Sequence, residues 1–355
     1  MEREISLGNK KIGKTAYFIA DIAANHDGEI GRAFKLIELA KESGADVAKF
    51  QNFTAKKIVS KKGFDELNGQ LSHQASWKKS VYETYEDASI SLEWTSRLKK
   101  KCDEVGIEYM TSPYDFDSVD AVNPYVNAFK VGSGDITWTH ILEYIAQKNK
   151  PVLIATGASE IEDVKRAYAV VEKFNSQIVI MQCNTNYTGS KDNFKYINLN
   201  VLKAYRKFFP NAILGLSDHT PGHATVLGAI ALGATVIEKH FTDDNTRCGP
   251  DHKFSMNPNA WKEMVECANE LFTALGSEIK RVEENEKETA VVQRRALYLT
   301  KDVAEGQKIQ SEDIFPLRPI KDDGIPPYEF ENVIGMKANK ALAKDSYLKW
   351  EDIER

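Results

Sequence analysis

At 355 residues, 42% of them hydrophobic, the chain is long enough to bury a large core without disulfides or structural metals to staple it. A formal net charge of −5 with no basic block argues against nucleic acid as a partner. Cys102, Cys183, Cys248 and Cys267 are scattered without a CxxC spacing, and the sequence shows neither a signal-peptide h-region nor an apolar run of membrane-spanning length, so a reduced, cytoplasmic protein off the membrane is expected.

From the first apolar run, residues 17–23, strand-like and helix-like patterns alternate as far as about residue 277. Ala33, Leu36, Ile37 and Ala40 follow at helical spacing, and Gly44 supplies a stop. Residues 46–51 form the second run. Residues 52–90 then break the rhythm, and their length predicts an elaborated surface loop. The runs 107–111, 128–133, 151–156, 178–183, 213–219 and 236–240 continue the series, with helical segments between them, and the last helix is expected over 261–275. After it, residues 278–293 are charged and lack an apolar stripe, which reads as a linker. Residues 294–355 carry short apolar stretches (296–299, 314–317, 333–334) punctuated by Gly and Pro, the texture of a small β domain.

Eight strand–helix units predict an α/β fold of the (β/α)8 barrel type over residues 1–277, with an open doubly wound sheet as the alternative. The barrel is favoured because each predicted strand ends at a polar or reactive group: Asp21, Lys49 with Gln51, Thr111, Lys130 with Ser133, Thr156, Gln182 with Thr185, Ser217 with His219, and Glu238 with His240. A barrel brings all eight ends together. An open sheet spreads them along a line.

Two imidazoles, His219 and His240, on neighbouring strand ends suit a borderline divalent ion with positions left for water and substrate. Lys49 and Lys130 at buried strand ends call for an anion, because a desolvated ammonium is costly unless paired; an internal carboxylate is the other candidate partner. Val131-Gly-Ser-Gly-Asp135 adds a glycine-rich turn able to hold phosphate, and with Thr111 and Ser217 on the same rim the expected ligand is a small phosphorylated carboxylate. A bound ion polarising an aldehyde, with Asp21 and Glu238 as acid–base groups, points to carbon–carbon bond formation. An imine on Lys130 or Lys239 is the competing chemistry, and it leaves both histidines unexplained.

The runs Ile19-Ala-Asp-Ile-Ala-Ala-Asn-His-Asp-Gly28, Ala48-Lys-Phe-Gln51, Phe129-Lys-Val-Gly-Ser-Gly134, Gly215-Leu-Ser-Asp-His-Thr220, Glu238-Lys-His-Phe241 and Gly249-Pro-Asp251 resemble those of the sialic acid synthase family. Leu317-Arg-Pro319 and Gly324-Ile325 resemble that family's C-terminal antifreeze-like (SAF) domain, here over 294–355. The resemblance implies a transferase that condenses phosphoenolpyruvate with an N-acylated mannosamine-type aldehyde, giving a nine-carbon 2-keto-3-deoxy acid and phosphate. It implies His219 and His240 as ligands of a divalent ion, Mn2+ foremost, with Mg2+, Co2+ or Zn2+ as alternatives. By the same resemblance Lys49, Thr111, Lys130, Ser133, Thr185 and Ser217 hold phosphoenolpyruvate, and Gln51, Tyr187 and Asp251 surround the sugar. Arg318 would reach the sugar's acyl group from the partner subunit of a domain-exchanged homodimer.

Three departures from the family pattern stand out. Asp21 replaces a Glu, Ala155 stands where a phosphate-binding Ser is common, and Thr185 falls where Asn is frequent. They are compatible with a phosphoenolpyruvate site and leave the acceptor open: N-acetylmannosamine, its 6-phosphate, or a 2,4-diacetamido-6-deoxy hexose of the legionaminate or pseudaminate routes. Lys56-Lys57 and Lys61-Lys62 read as a solvated face, so phosphorylated acceptors rank lower. From a different class, a non-catalytic sugar-binding protein on the same fold is the remaining alternative.

Overall fold

The computed structural model describes residues 4–8, 10–12, 15–67 and 70–355. The chain divides into two compact units between Gly276 and Ser277. In the first, β1 (Ile5–Leu7) and β2 (Lys10–Ile12) form an antiparallel hairpin. Eight parallel strands follow: β3 (Tyr17–Asp21), β4 (Val47–Asn52), β5 (Glu108–Pro113), β6 (Phe129–Val131), β7 (Val152–Ala155), β8 (Ile178–Cys183), β9 (Ile213–Asp218) and β10 (Val236–His240). Each pairs with the next, and β10 pairs back onto β3, closing a barrel.

The strands are buried on both faces, so their sequences read as apolar runs, and alternate residues serve two different cores. Phe18 and Ala20 of β3 point outward, into the layer shared with the helices. Tyr17 and Ile19 point inward, where Val47, Met110, Leu153, Val179, Met181 and Val236 fill the barrel beneath the site. Ile5, Leu7 and Ile12 of the hairpin join this inner cluster. The hairpin is a feature the sequence reading passed over, although Gly8-Asn9 between two alternating stretches is a turn signal; Asn9 itself lies outside the described residues.

The helix Ile30–Glu42 buries Ala33, Leu36, Ile37 and Ala40, the predicted stripe, and the chain leaves it through Gly44 at φ +90°. The last helix of the unit, Pro258–Leu275, starts three residues earlier than expected because Asn257 caps it, its side chain accepting from the Ala260 amide. The connection after β4 contains helical pieces at Ala55–Ile58, Lys61–Asp65 and Val81–Ala88, and a 3-10 turn at Ser72–Ser76. Among the described residues no helix is long and apolar enough to cross a membrane.

In the second unit the segment predicted as a charged linker carries a 3-10 turn, Glu284–Glu286, and a helix, Lys287–Gln293. Beyond it, β11 (Ala296–Leu299) pairs antiparallel with β12 (Ile314–Leu317), and β13 (Lys337–Ala338) with β14 (Ile353–Glu354). Val333, expected in a strand-like stretch, ends the short helix Phe330–Val333 and is buried with Leu297, Ile309, Ile325, Leu342, Leu348 and Ile353. The segment is built twice over. Lys301 binds the buried Asp313 just before β12, and Lys340 binds the mostly buried Asp352 just before β14, each at 2.6 Å, while Val303 bridges Leu342. This internal repeat, Lys301 to Ile314 against Lys340 to Ile353, lets a small segment close a core of its own.

Candidate active site

The carboxyl ends of the barrel strands bring two ion pairs to one place. Lys49 on β4 lies opposite Asp21 on β3 in register, and its Nζ donates to Asp21 Oδ2 at 2.6 Å. Lys130 on β6 reaches across the barrel to Glu238 on β10, donating to Oε1 at 2.9 Å; Ser217 Oγ donates to the same oxygen at 3.0 Å. Lys49 also stands 4.0 Å from Glu238 Oε2, which is buried without a hydrogen-bond partner. Both lysines are 2–3% exposed. Each already has a carboxyl partner within the chain, the internal alternative to a bound anion.

The two carboxyls are driven apart. Burial pushes Asp21 up and Glu238 adds to that, against the pull of Lys49. Burial also opposes ionisation of Glu238, but Lys130 and Lys49 overcome it and hold it down to about 2. Lys49 is pulled down by burial and raised on balance by Asp21 and Glu238. Of the two, Asp21 is the more readily protonated and Glu238 the one held ionised.

His219 and His240 face each other with ring centroids 5.3 Å apart. Burial holds both down to about 3, with His240 adding to the effect on His219 and Lys49 to the effect on His240, so both rings are neutral. The Asn184 carbonyl accepts from His219 Nδ1 at 2.9 Å, which puts the proton on Nδ1 and leaves Nε2 with a lone pair. His240 has a buried Nδ1 without a hydrogen-bond partner and an Nε2 3.6 Å from Asp21 Oδ2. Neutral imidazoles with an available lone pair suit a divalent ion. Among the described residues no group of three or more His, Cys, Asp or Glu forms a metal cluster, so an ion here would take two protein ligands and fill its remaining positions from water and substrate.

Ser133 Oγ accepts from the Gly157 amide at 3.0 Å, beside Cys183 and Thr185. A Cβ on Gly157 would come within 2.5 Å of Thr185 Cγ2 and 2.9 Å of Ser133 Oγ, so only glycine lets these groups close on the backbone. Gln51 Nε2 sits 3.4 Å from Asp21 Oδ2. Asp251 accepts from the Ala24 amide at 3.1 Å, lies 4.0 Å from His240 Nδ1, and is pushed up to about 7 by burial, against the Ala24 hydrogen bond and with help from Asp21. Tyr187 packs on His219 with centroids 4.2 Å apart, and Phe254 packs on His240 at 4.9 Å.

One expected member falls elsewhere. Thr111 Oγ1 donates to Asn52 Oδ1 at 2.6 Å, and Asn52 donates to Thr95 on the helix Leu92–Val105, so Thr111 belongs to the layer between strand and helix and not to the barrel mouth. The neighbouring Ser112 has a buried hydroxyl without a partner. Arg318 is exposed in the second unit. Lys239, the other imine candidate, points outward to Asp218. Ser112, Gly157 and Phe254 escaped the sequence reading; strand parity, counted from inward Met110, would have selected Ser112, whereas no local signal distinguishes the other two. His26, on the turn after β3, accepts from the Gly28 amide through Nδ1 at 3.0 Å.

Comparison with known proteins finds relatives along nearly the whole chain. The chain is 34% identical to N,N'-diacetyllegionaminic acid synthase of Legionella pneumophila, covering 96% of this chain and 95% of that one. It is 31% identical to N-acetylneuraminate-9-phosphate synthase of Homo sapiens, over 93% and 90% of the two chains. The crystal structure of spore coat polysaccharide biosynthesis protein spsE from Bacillus subtilis superposes with a TM-score of 0.65 at 30% identity, covering 99% of both chains. The SAF domain model matches residues 294–354 and the NeuB family model residues 36–280, and the chain belongs to the NeuB family.

Proposed function

We propose that this protein condenses phosphoenolpyruvate with an N-acylated mannosamine-type aldehyde to give a nine-carbon 2-keto-3-deoxy acid and phosphate. The observation that carries this reading is the ring of Lys49, Asp21, Lys130 and Glu238 beside two neutral imidazoles, at the open end of a NeuB-family barrel. In the reaction, C3 of phosphoenolpyruvate forms a bond to the aldehyde carbon, a water oxygen is added at C2, and phosphate leaves.

Lys49 and Lys130 bind the anionic substrate at its carboxylate and phosphate, each held in place by a carboxyl group of the chain. Ser133, Ser217, Thr185 and the Gly157 backbone lie around the same space and orient it. A divalent ion held by His219 and His240, Mn2+ by preference, would draw electrons from the aldehyde oxygen. Asp21 passes a proton to that oxygen as the new bond forms, and Glu238 stays ionised to anchor Lys130 and Ser217. Gln51, Tyr187 and Asp251 face the acceptor.

An unphosphorylated acceptor fits best. Lys57 on the loop after β4 is engaged by Asp115 and Asp117, and Arg247 by Asp27, so neither cation is held ready for a sugar phosphate. The Legionella relative supports a 2,4-diacetamido-6-deoxy hexose as the second acceptor to try. The second unit exposes Phe315, Leu317, Tyr328 and Trp350, which supports its docking on a partner subunit, with Arg318 completing the partner's sugar site. Phosphate release from phosphoenolpyruvate, measured with a panel of N-acylated mannose-type and diacetamido sugars and followed by mass of the product, tests the proposal. Release dependent on one such sugar is expected; none with any sugar would refute it.

A further inference from the structure

Outside the barrel, directly behind the two imidazoles, sits a buried ion pair that the reaction scheme leaves unused. β9 and β10 pair in register with Ser217 opposite Glu238 and Asp218 opposite Lys239. Strand alternation sends Ser217 and Glu238 into the barrel and Asp218 and Lys239 out of it. On that outer face the remaining positions are apolar: Leu214 and Leu216 precede Asp218, and Ile237 and Phe241 flank Lys239. Both side chains of the pair are 1% exposed.

The bonding of the pair is asymmetric in an informative way. Lys239 Nζ donates to Asp218 Oδ2 and, at 2.6 Å, to the carbonyl of Thr220. Asp218 Oδ2 also accepts from the hydroxyls of Thr220 and Thr225, both at 2.8 Å, while its Oδ1 accepts from the Thr220 amide at 3.3 Å. The residue just before His240 is thus tied to the residues on either side of His219, and Thr225 fixes the cluster to the helix Ala224–Ala231.

We propose that Asp218 and Lys239 are positioning residues that set the mutual placement of the His219 and His240 rings and thereby create the divalent-ion site. The physical reason is energetic. A buried ion pair generally gives no more stability than apolar side chains of the same volume, since desolvation offsets the attraction. Leucine and methionine would continue the stripe made by Leu214, Leu216, Ile237 and Phe241, so stability alone does not account for an ion pair here. What apolar side chains cannot do is hold Thr220 and Lys239 in one geometry, and directional bonds can. The inference rests on the assignment of His219 and His240 as the ligand pair.

The test replaces the pair by Asp218→Leu with Lys239→Met and reads two quantities other than activity. Manganese binding, measured with Mn2+ alone by paramagnetic resonance, should weaken at least tenfold in a variant that still unfolds cooperatively. In metal-free protein labelled with 15N-histidine, the His219 Nδ1 proton, held on the Asn184 carbonyl, should lose its protection from exchange. A merely structural pair would shift the unfolding temperature and leave both readings in place. A folded double variant with Mn2+ affinity within twofold of the parent and a protected His219 proton overturns the proposal. If the double variant does not fold, Thr225→Val decides, since it keeps the pair and removes one of the bonds aiming Asp218: about threefold weaker Mn2+ binding is expected, and unchanged binding overturns it. Should the parent protein itself fail to bind Mn2+, the ligand assignment fails, and His219 proton protection alone decides whether the pair positions the rings.

Discussion

Lys130 Nζ lies 2.9 Å from Glu238 Oε1 across the barrel mouth, both side chains almost completely buried. Removing either partner does two things at once. Lys130→Ala takes away a charge-assisted bond to the substrate anion, worth about 1.5–3 kcal/mol, so phosphoenolpyruvate affinity should fall roughly tenfold to a hundredfold. It also strips Glu238 of its nearer ammonium, leaving Lys49 at 4.0 Å and the Ser217 hydroxyl, which is expected to lower stability by up to about 3 kcal/mol. Adding Glu238→Gln should recover much of the stability without restoring phosphoenolpyruvate binding. Calorimetric titration and denaturant unfolding of both variants separate the two effects, and unchanged phosphoenolpyruvate affinity in Lys130→Ala would take this lysine out of the site.

His219→Ala and His240→Ala should each abolish condensation by losing the ion while leaving the barrel folded, because the rings sit above the packed inner cluster and outside it. Mn2+ titration should show the loss directly, with the circular dichroism spectrum unchanged. Full activity of the metal-stripped double variant would refute the ligand assignment.

Thr111→Val separates the barrel mouth from the layer behind it. Its hydroxyl serves Asn52, so the change should leave the KM for phosphoenolpyruvate alone and lower stability by about 1–3 kcal/mol, the penalty of an unsatisfied buried acceptor. A raised KM with stability intact would put Thr111 back among the substrate ligands.

That residue also shows where sequence reasoning stops. The eight strands were legible because a strand buried on both faces is an apolar run of limited length, and the polar groups at their ends announced the mouth of a barrel. Lys49, Lys130, His219 and His240 could be picked out as chemically costly residues at such ends. Which of two adjacent polar residues faces inward depends on register with the neighbouring strand, a long-range property, and so Thr111 is expected at the mouth although its hydroxyl serves Asn52 in the layer behind. Gly157 and Phe254 enter the site only through contacts with Ser133, Thr185, Tyr187 and His240 that no local pattern encodes. The ion pairs Lys49 with Asp21 and Lys130 with Glu238 join residues 28 and 108 positions apart, so the lysines were readable as cations in need of an anion, but not which anion they meet in the chain.

His26 gives a pH signature away from the catalytic groups. It is 1% exposed, packs edge-on to Trp94 at 5.5 Å, and burial lowers its pKa to about 4. In the unfolded chain histidine titrates near ~6.5. A folded pKa below the unfolded one means that this contribution is complete above about 6.5 and is lost as pH falls toward 4, because the unfolded state binds the proton first. At about 1.4 kcal/mol per pH unit the loss reaches roughly 3 kcal/mol. His26→Gln should therefore flatten the stability curve between pH 6.5 and 4, measured by urea unfolding; a curve of unchanged slope would show that the His26 ring is protonated in the folded protein at those pH values.

Arg318 belongs to the second unit, where it is exposed beside Phe315 and Leu317, and that unit closes a core of its own. If it completes a partner's sugar site, the protein is a dimer in solution, and truncation near Thr289 leaves a barrel that binds metal without synthase activity. Arg318→Ala should raise the KM for the sugar and spare phosphoenolpyruvate, since a guanidinium over an acyl group can recognise only the acceptor. Mixing Arg318→Ala subunits with His240→Ala subunits is the decisive measurement. In an exchanged heterodimer one site receives both lesions and the other receives neither, so activity should partly return, approaching half that of the parent per heterodimer. If heterodimers form and activity stays absent, the arginine serves its own barrel or no site at all.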